Sequence, residues 1–411
     1  MYATSTSFSI LSRTRLLATP LPPRSISKRC FLTLASSSSS NSTRDIPNPN
    51  APSASPSPPT LSSKPPSAGI SSPRPATLPN HLHLRSQAIP PRPPKAVAAT
   101  VAATKPLIKP IQYGFKTNFS LFAKRPPRAF PPPFNSPPAS SFSDALSTYH
   151  LSSRIPTPEG AAFLRGITNG DDAILHHHSH LGVADGVGAW NTKAAGHAAL
   201  WSRLILHYWS LALDAQRKSP EAAGGGKIDI VSALQRSYNN TISATTREGK
   251  TVWQGTTTAC VSSLEGNILT VANIGDSRAY VYRPSSASFV YKSTEQWHWF
   301  DCPYQLGTNS LDTPAANAVV DKVELEEGDI VILATDGLPD NLWDTEIADI
   351  CAAAGKEVGG LADKLVKAAW KIAIDPFGES PYMERGIDEG LSMEGGKYDD
   401  ISVVTAVFKK K

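Results

Sequence analysis

The chain has 411 residues, with 40 Lys and Arg against 35 Asp and Glu, and its formal charge of +5 hides a strong asymmetry. Residues 1–143 hold seventeen basic residues and one acid, Asp45, whereas residues 144–411 hold 23 basic and 34 acidic ones. The early bases are scattered among Pro, Ser and Ala without clusters or interleaved aromatics, which argues against a nucleic-acid or membrane-binding face. Four cysteines (Cys30, Cys260, Cys302, Cys351) lack metal-ligand spacing, which argues against a zinc site or a disulfide framework.

In chain order, residues 1–45 come first. They combine Arg13, Arg15, Arg24, Lys28, Arg29 and Arg44 with many Ser and Thr, and no acid precedes Asp45. Phe8 to Leu17 can form a short basic amphipathic helix, the composition of an organelle transit peptide. A secretory signal would need a longer apolar core than Arg13 and Arg15 allow. The expected address is the mitochondrion, with the chloroplast as the alternative for a plant source. Residues 46–143 are dominated by Pro, Ser and Ala and are expected to form a disordered linker, because they bury too little apolar surface to offset ordering entropy. The apolar run Ala96–Ala103 is too short for a membrane span, which takes about 20 residues.

Residues 144–411 read as the globular part. Leu181–Ala184 is a short buried-strand run that ends at Asp185-Gly186. Leu200, Leu204, Tyr208 and Leu211, at spacings of three and four, predict a helix over Ala194–Lys218. A Gly-rich break separates it from a second helix over Ile228–Thr246. Thr256–Ser263 and Ile268–Ile274 flank Glu265-Gly266-Asn267 as an antiparallel hairpin, and Arg278–Arg283 continues as strand. Asp329–Ala334 is another buried strand, Leu361–Ile374 a helix, and Ile401–Phe408 the closing strand. Hairpins with long helices imply an α+β class, with sheets packed together and helices outside.

Five acidic clusters lie beside these apolar runs: Gly170-Asp171-Asp172-Ala173, Val183-Ala184-Asp185-Gly186, Ile274-Gly275-Asp276-Ser277, Ala334-Thr335-Asp336-Gly337 and Tyr398-Asp399-Asp400. Gathered at one end of a sheet, such carboxylates repel and raise one another's pKa. Hard divalent cations such as Mg²⁺ or Mn²⁺ relieve that repulsion because they favour oxygen ligands. The pattern therefore asks for a dinuclear metal centre, and such centres most often serve phosphate chemistry. A single Asp-Gly is usually just a turn, but two of them directly after apolar strands, in this company, are not explained that way.

Other candidates read as structural. Adjacent histidines on a strand point to opposite faces, so His176-His177-His178-Ser179-His180 is expected to be an exposed hairpin and not a zinc site. Ser277 and Ser310 lack a His-Asp partner pattern. Trp201, Tyr208 and Trp209 read as core, and Glu324, Glu326 and Glu327 as a solvated turn.

Taken together and in order, these motifs resemble the metal-dependent type-2C (PPM-type) protein serine/threonine phosphatases, with Gly255-Thr256-Thr257-Thr258-Ala259 and Asp399-Asp400-Ile401-Ser402-Val403 completing the set. Trp190, Gln305-Leu306-Gly307 and the leader resemble the family's mitochondrial branch. The resemblance covers residues 150–409 and implies an α-β-β-α sandwich of two mainly antiparallel sheets flanked by helix pairs. It implies that Asp185 bridges two Mn²⁺ or Mg²⁺ ions, that the Gly186 carbonyl and Asp171 serve the second, and that Asp336 and Asp399 serve the first. Asp172 would orient a water, while Asp276 with Asp336 would hold an optional third ion. The implied activity is hydrolysis of phosphoserine and phosphothreonine in mitochondrial proteins by metal-activated water, without a phosphoenzyme, by a monomer that binds no nucleic acid and has no transmembrane segment.

Three departures accompany the resemblance. Val187 stands where many members have His as proton donor. Asp171 is one methylene shorter than the usual Glu. Ile167 stands where a phosphate-binding Arg is expected, and the nearby Arg165 is out of register. A catalytically weak or inactive regulator that binds phosphoproteins is the alternative reading.

Overall fold

The computed structural model describes residues 112–134, 136, 163–219, 227–355 and 358–411, all within one compact unit. The expected leader and most of the expected linker lie outside these residues. Eleven strands carry the architecture. The first six are β1 (Tyr113–Phe122), β2 (Ile167–Asn169), β3 (Asp172–His176), β4 (His180–Ala184), β5 (Ala259–Glu265) and β6 (Ile268–Ile274). The others are β7 (Arg278–Arg283), β8 (Ser288–Lys292), β9 (Val319–Glu324), β10 (Ile330–Ala334) and β11 (Ile401–Lys410). One sheet runs β1-β11-β10-β7-β8 and the other β9-β6-β5-β4-β3-β2, with every pairing antiparallel.

Burial on both faces explains why β4 and β10 are continuous apolar runs and not alternating ones. In β10, Val331 and Leu333 face the layer between the sheets, where they meet Leu181 and Val183 of β4, Val404 and Ala406 of β11, and Cys260 of β5. Ile330, Ile332 and Ala334 face outward against α3 (Asp344–Ala354) and α4 (Leu361–Ala373), through Ile347, Leu365 and Ala369. On the other sheet, Ala173, Ala184, Val261 and Ala272 pack under α1 (Ala198–Lys218) and α2 (Ile230–Ala244), through Trp201, Ile205, Trp209 and Leu234. The result is the expected α-β-β-α sandwich. Trp201 and Trp209 are core, as expected, and Tyr208 is half-buried.

Helix ends follow local chemistry. α1 starts at Ala198 and not Ala194, because Gly188–Thr192 forms a 3-10 turn and His197 caps the helix by accepting from the Leu200 N–H at 3.2 Å. In the segment Pro376–Gly396, Ser380 caps α5 (Pro381–Asp388), with Pro381 at the first helical position.

The linker expectation fails over β1. These ten residues pair with all ten of β11, from Tyr113 opposite Lys410 to Phe122 opposite Ile401. Residues 111–123 contain no Pro and place Tyr113, Phe115, Phe119 and Leu121 at even spacing, so they can form a strand that the surrounding Pro content obscured. Phe115 and Leu121 join the core between the sheets. The Asn169 amide donates to the carbonyls of Phe122 (2.9 Å) and Ile401 (3.2 Å), locking the end of β1 to the start of β11 and to the other sheet.

Two glycines of the Asp-Gly pairs answer to close approach and not to turn geometry. A Cβ on Gly186 would overlap the Asp171 carbonyl oxygen, and one on Gly337 would overlap that of Asp400. Gly337→Ala is therefore expected to lower unfolding stability by about 1–3 kcal/mol, the usual cost of overpacking. Gly359→Ala, where a Cβ meets nothing within 4 Å, should leave the denaturation midpoint unchanged.

Candidate active site

Antiparallel pairing brings the acidic clusters to one end of the sandwich. Ala184, the last residue of β4, sits opposite Ala173 near the start of β3; Ala334, the last of β10, sits opposite Val403 near the start of β11. Asp185 and Asp336 follow the ends of their strands, while Asp172 begins β3 and Asp399 and Asp400 precede β11. Asp276 follows β6, whose last residue, Ile274, pairs with Ala259. Residues from five strand ends thus converge through antiparallel register.

At the centre, Asp185, Asp276 and Asp336 each place a carboxylate oxygen within 4.8 Å of the other two. The Oδ1 atoms of Asp276 and Asp336 are buried and have no hydrogen-bond partner. Bare buried carboxylate oxygens are costly unless a cation meets them, and an all-oxygen donor set suits hard divalent ions. These three residues therefore fit a hard divalent cation. Burial, and then the neighbouring carboxylate of Asp336, pushes the pKa of both Asp185 and Asp276 well above the ordinary range.

The remaining predicted residues are held differently. Asp171 is 2% exposed; its Oδ2 accepts from the Arg125 guanidinium at 2.8 Å, and both its oxygens accept from the Asn191 amide at 2.9 and 2.8 Å. Asp399 binds the Lys124 ammonium. Asp172 is fixed by the hydroxyls of Thr335 and Ser402, each donating to Oδ2 at 2.8 Å. Burial, followed by the charge of Asp400, raises its pKa as well. Asp400, quoted in a motif but given no role by the sequence, accepts from the backbone N–H groups of Lys124 (2.7 Å) and Asp171 (2.8 Å). It ties the segment after β1 to the first acidic cluster, and its pKa rises to about 7, chiefly through burial.

Lys124 and Arg125 are functional candidates that sequence reasoning missed, because they lie in what read as linker. Burial alone would lower the Lys124 pKa, but the carboxylates of Asp399, Asp400 and Asp171 outweigh it and raise the value. Arg165 is engaged elsewhere, with Asp214 at 2.6 Å and Ser210 at 2.8 Å, so leaving it unassigned agrees with the structure. Val187 offers no ionisable group, and its N–H donates to the Thr256 carbonyl at 3.0 Å.

The other motifs are structural, with one correction: His180, expected in an exposed hairpin, is buried at the start of β4 beside Ser210 (3.2 Å) and Arg217 (3.0 Å). His177–Ser179 is the hairpin between β3 and β4, at the opposite end of those strands from the aspartates. Burial lowers the His177 pKa to about 4. Ser277 is buried and shares a hydrogen bond with Thr258 at 2.8 Å, while Ser310 caps Asp312.

No family model matches the chain. The human protein named "Protein phosphatase PTC7 homolog" is 30% identical over 263 residues, covering 59% of this chain and 81% of that relative. The Arabidopsis thaliana protein named "Probable protein phosphatase 2C 80" is 32% identical over 278 residues, or 66% of this chain; the chain spans 61% of that relative's length. Among solved structures, that of the photosystem II phosphatase PBCP aligns at 28% identity with a TM-score of 0.49, covering 58% of this chain and 91% of that one. The chain belongs to the type-2C, or PPM-type, protein phosphatase family.

The raised carboxyl pKa values set a pH dependence. A group whose folded pKa is raised contributes stability while protonated, and that stability is lost as pH rises through the folded value. A divalent ion meets the deprotonated form. The gain in melting temperature on adding Mn²⁺ to chelated protein should therefore grow from about pH 5 to about pH 8, as read by differential scanning fluorimetry. A gain that shrinks with rising pH would contradict the assignment.

Proposed function

We propose that this chain hydrolyses phosphoserine and phosphothreonine in proteins with the aid of two Mn²⁺ or Mg²⁺ ions. The observation that carries the reading is the convergence of Asp185, Asp276 and Asp336, with bare buried oxygens on two of them, in a member of this family. Asp185, Asp336 and Asp399 would hold one ion; Asp185, the Gly186 carbonyl and Asp171 the other. Such ions, when bound, supply Lewis acidity to phosphoryl oxygens and bring the pKa of water toward neutrality.

The chain's own residues provide the rest. Asp172, with Oδ2 fixed by two hydroxyls, is placed to orient a water. Lys124 and Arg125 stand where the sequence offered no phosphate ligand, and the Arg125 side chain is 47% exposed. Its planar fork can leave Asp171 for a phosphate, which it binds bidentately. With Val187 in place of a side-chain acid, the leaving oxygen takes its proton from water.

Val187 also favours the second reading, a regulator that binds phosphoproteins without turning them over. An organelle address, mitochondrial or chloroplastic, is inferred from the composition of residues 1–45, and mass spectrometry of the mature N terminus tests it. The individual substrates would be phosphoproteins of that compartment.

Hydrolysis of a phosphothreonine peptide with and without Mn²⁺ decides between the readings. Activity should require the ion and fall in Asp185→Asn by more than the roughly 10–100-fold typical of groups that only support metal ligands. Arg125→Ala should raise KM more than it lowers kcat. Phosphopeptide binding without turnover would favour the regulator.

A further inference from the structure

The acidic centre contains a cation of its own, Lys397. Its ammonium binds Asp336 Oδ2 directly and lies 2.8 Å from Asp340 Oδ2, 3.3 Å from Asp301 Oδ1 and 3.9 Å from Asp399 Oδ2. The side chain is 15% exposed. Asp301 and Asp340 belong to none of the five clusters, so this cage draws on carboxylates beyond the expected metal ligands.

The cage is built from several directions. The Lys397 N–H donates to Asn341 Oδ1 at 2.9 Å, and the Asn341 amide returns a bond to the Lys397 carbonyl at 3.0 Å. Asn341 is fully buried and also donates to the Gly337 carbonyl, directly after Asp336. The ammonium lies 5.1 Å from the Tyr382 ring centroid, and Asp340 is anchored by Arg385, which like Tyr382 belongs to α5. α5 therefore supplies one wall.

The consequence concerns Asp336. A carboxylate serves two ions most readily by giving one oxygen to each. Here Lys397 takes Oδ2 and leaves only Oδ1, which is buried and bare. Asp276 is in the same condition: Trp297 Nε1 donates to its Oδ2 at 3.2 Å and its Oδ1 is bare. The two residues assigned to an optional third ion thus have one free oxygen each, and both stand beside Asp185. We infer that Lys397 is a positioning residue that acts as the resident third cation: it confines Asp336 to one ion and limits the centre to two divalent ions. This rests on the two-ion reading proposed above.

The test counts bound Mn²⁺ on the full-length chain by equilibrium dialysis with elemental analysis, up to saturation. Wild type should hold two ions. Lys397→Gln, which keeps a polar stem but removes the charge, should hold three, or bind its weakest ion about tenfold more tightly. Lys397→Met preserves the packing against Tyr382 should the Gln variant fail to fold, and Lys397→Arg, which keeps the charge, should remain at two. Three ions on wild type would overturn the inference while leaving metal-dependent hydrolysis intact. So would an unchanged count and affinity in the charge-removing variants. A wild-type chain that binds no Mn²⁺ would instead remove the two-ion reading itself, and with it the role of Lys397.

Discussion

Repulsion among buried carboxylates is the constraint around which this protein is arranged. Asp172, Asp185, Asp276, Asp336, Asp399 and Asp400 converge on one end of the sandwich, where low dielectric and short distances make like charges costly. Four of them are met by something specific. Hydroxyls hold Asp172, backbone N–H groups hold Asp400, and ammonium groups hold Asp399 and Asp336. The bare Oδ1 of Asp336, beside Asp185, is what this scheme leaves for a divalent ion.

The segment after β1 takes part in that balance from outside the expected domain. β1 closes the edge of its sheet along the whole of β11, protecting backbone groups that would otherwise be an open template. It thereby delivers Lys124 and Arg125 to Asp399 and Asp171. One strand serves both the sheet and the chemistry, so the stability of the edge and the charge of the site are linked.

Much of this was legible beforehand. The apolar runs of β4, β6 and β10 marked buried strands, and the aspartates that follow them stood out because few soluble folds place so many acids beside core. The helix spacing read over Ala194–Lys218 gave the outer layer. What stayed hidden is instructive by residue. β1 is strand-like only in a window of about ten residues within a Pro-rich stretch, and its worth depends on a partner at the far end of the chain. α3 and β9 were passed over: α3 is short and its apolar residues are mostly Ala, and the Val residues of β9 stand among Asp, Lys and Glu. Lys397, two positions before Asp399, drew no notice, since nothing local signals a cage assembled from Asp301, Asp336 and Asp340.

The sequence alone determined the class of fold, the five acidic clusters, the absence of a side-chain proton donor at Val187 and the family. These are local properties: periodicity of burial, residue type beside a strand, and ordered motifs. Tertiary structure decided which carboxylates meet, which oxygens are already occupied, and that Lys124, Arg125 and Lys397 are the cations that occupy them. Those contacts join residues separated by as many as 276 positions. No local pattern encodes them, because they exist only once antiparallel register has brought distant strand ends to the same edge.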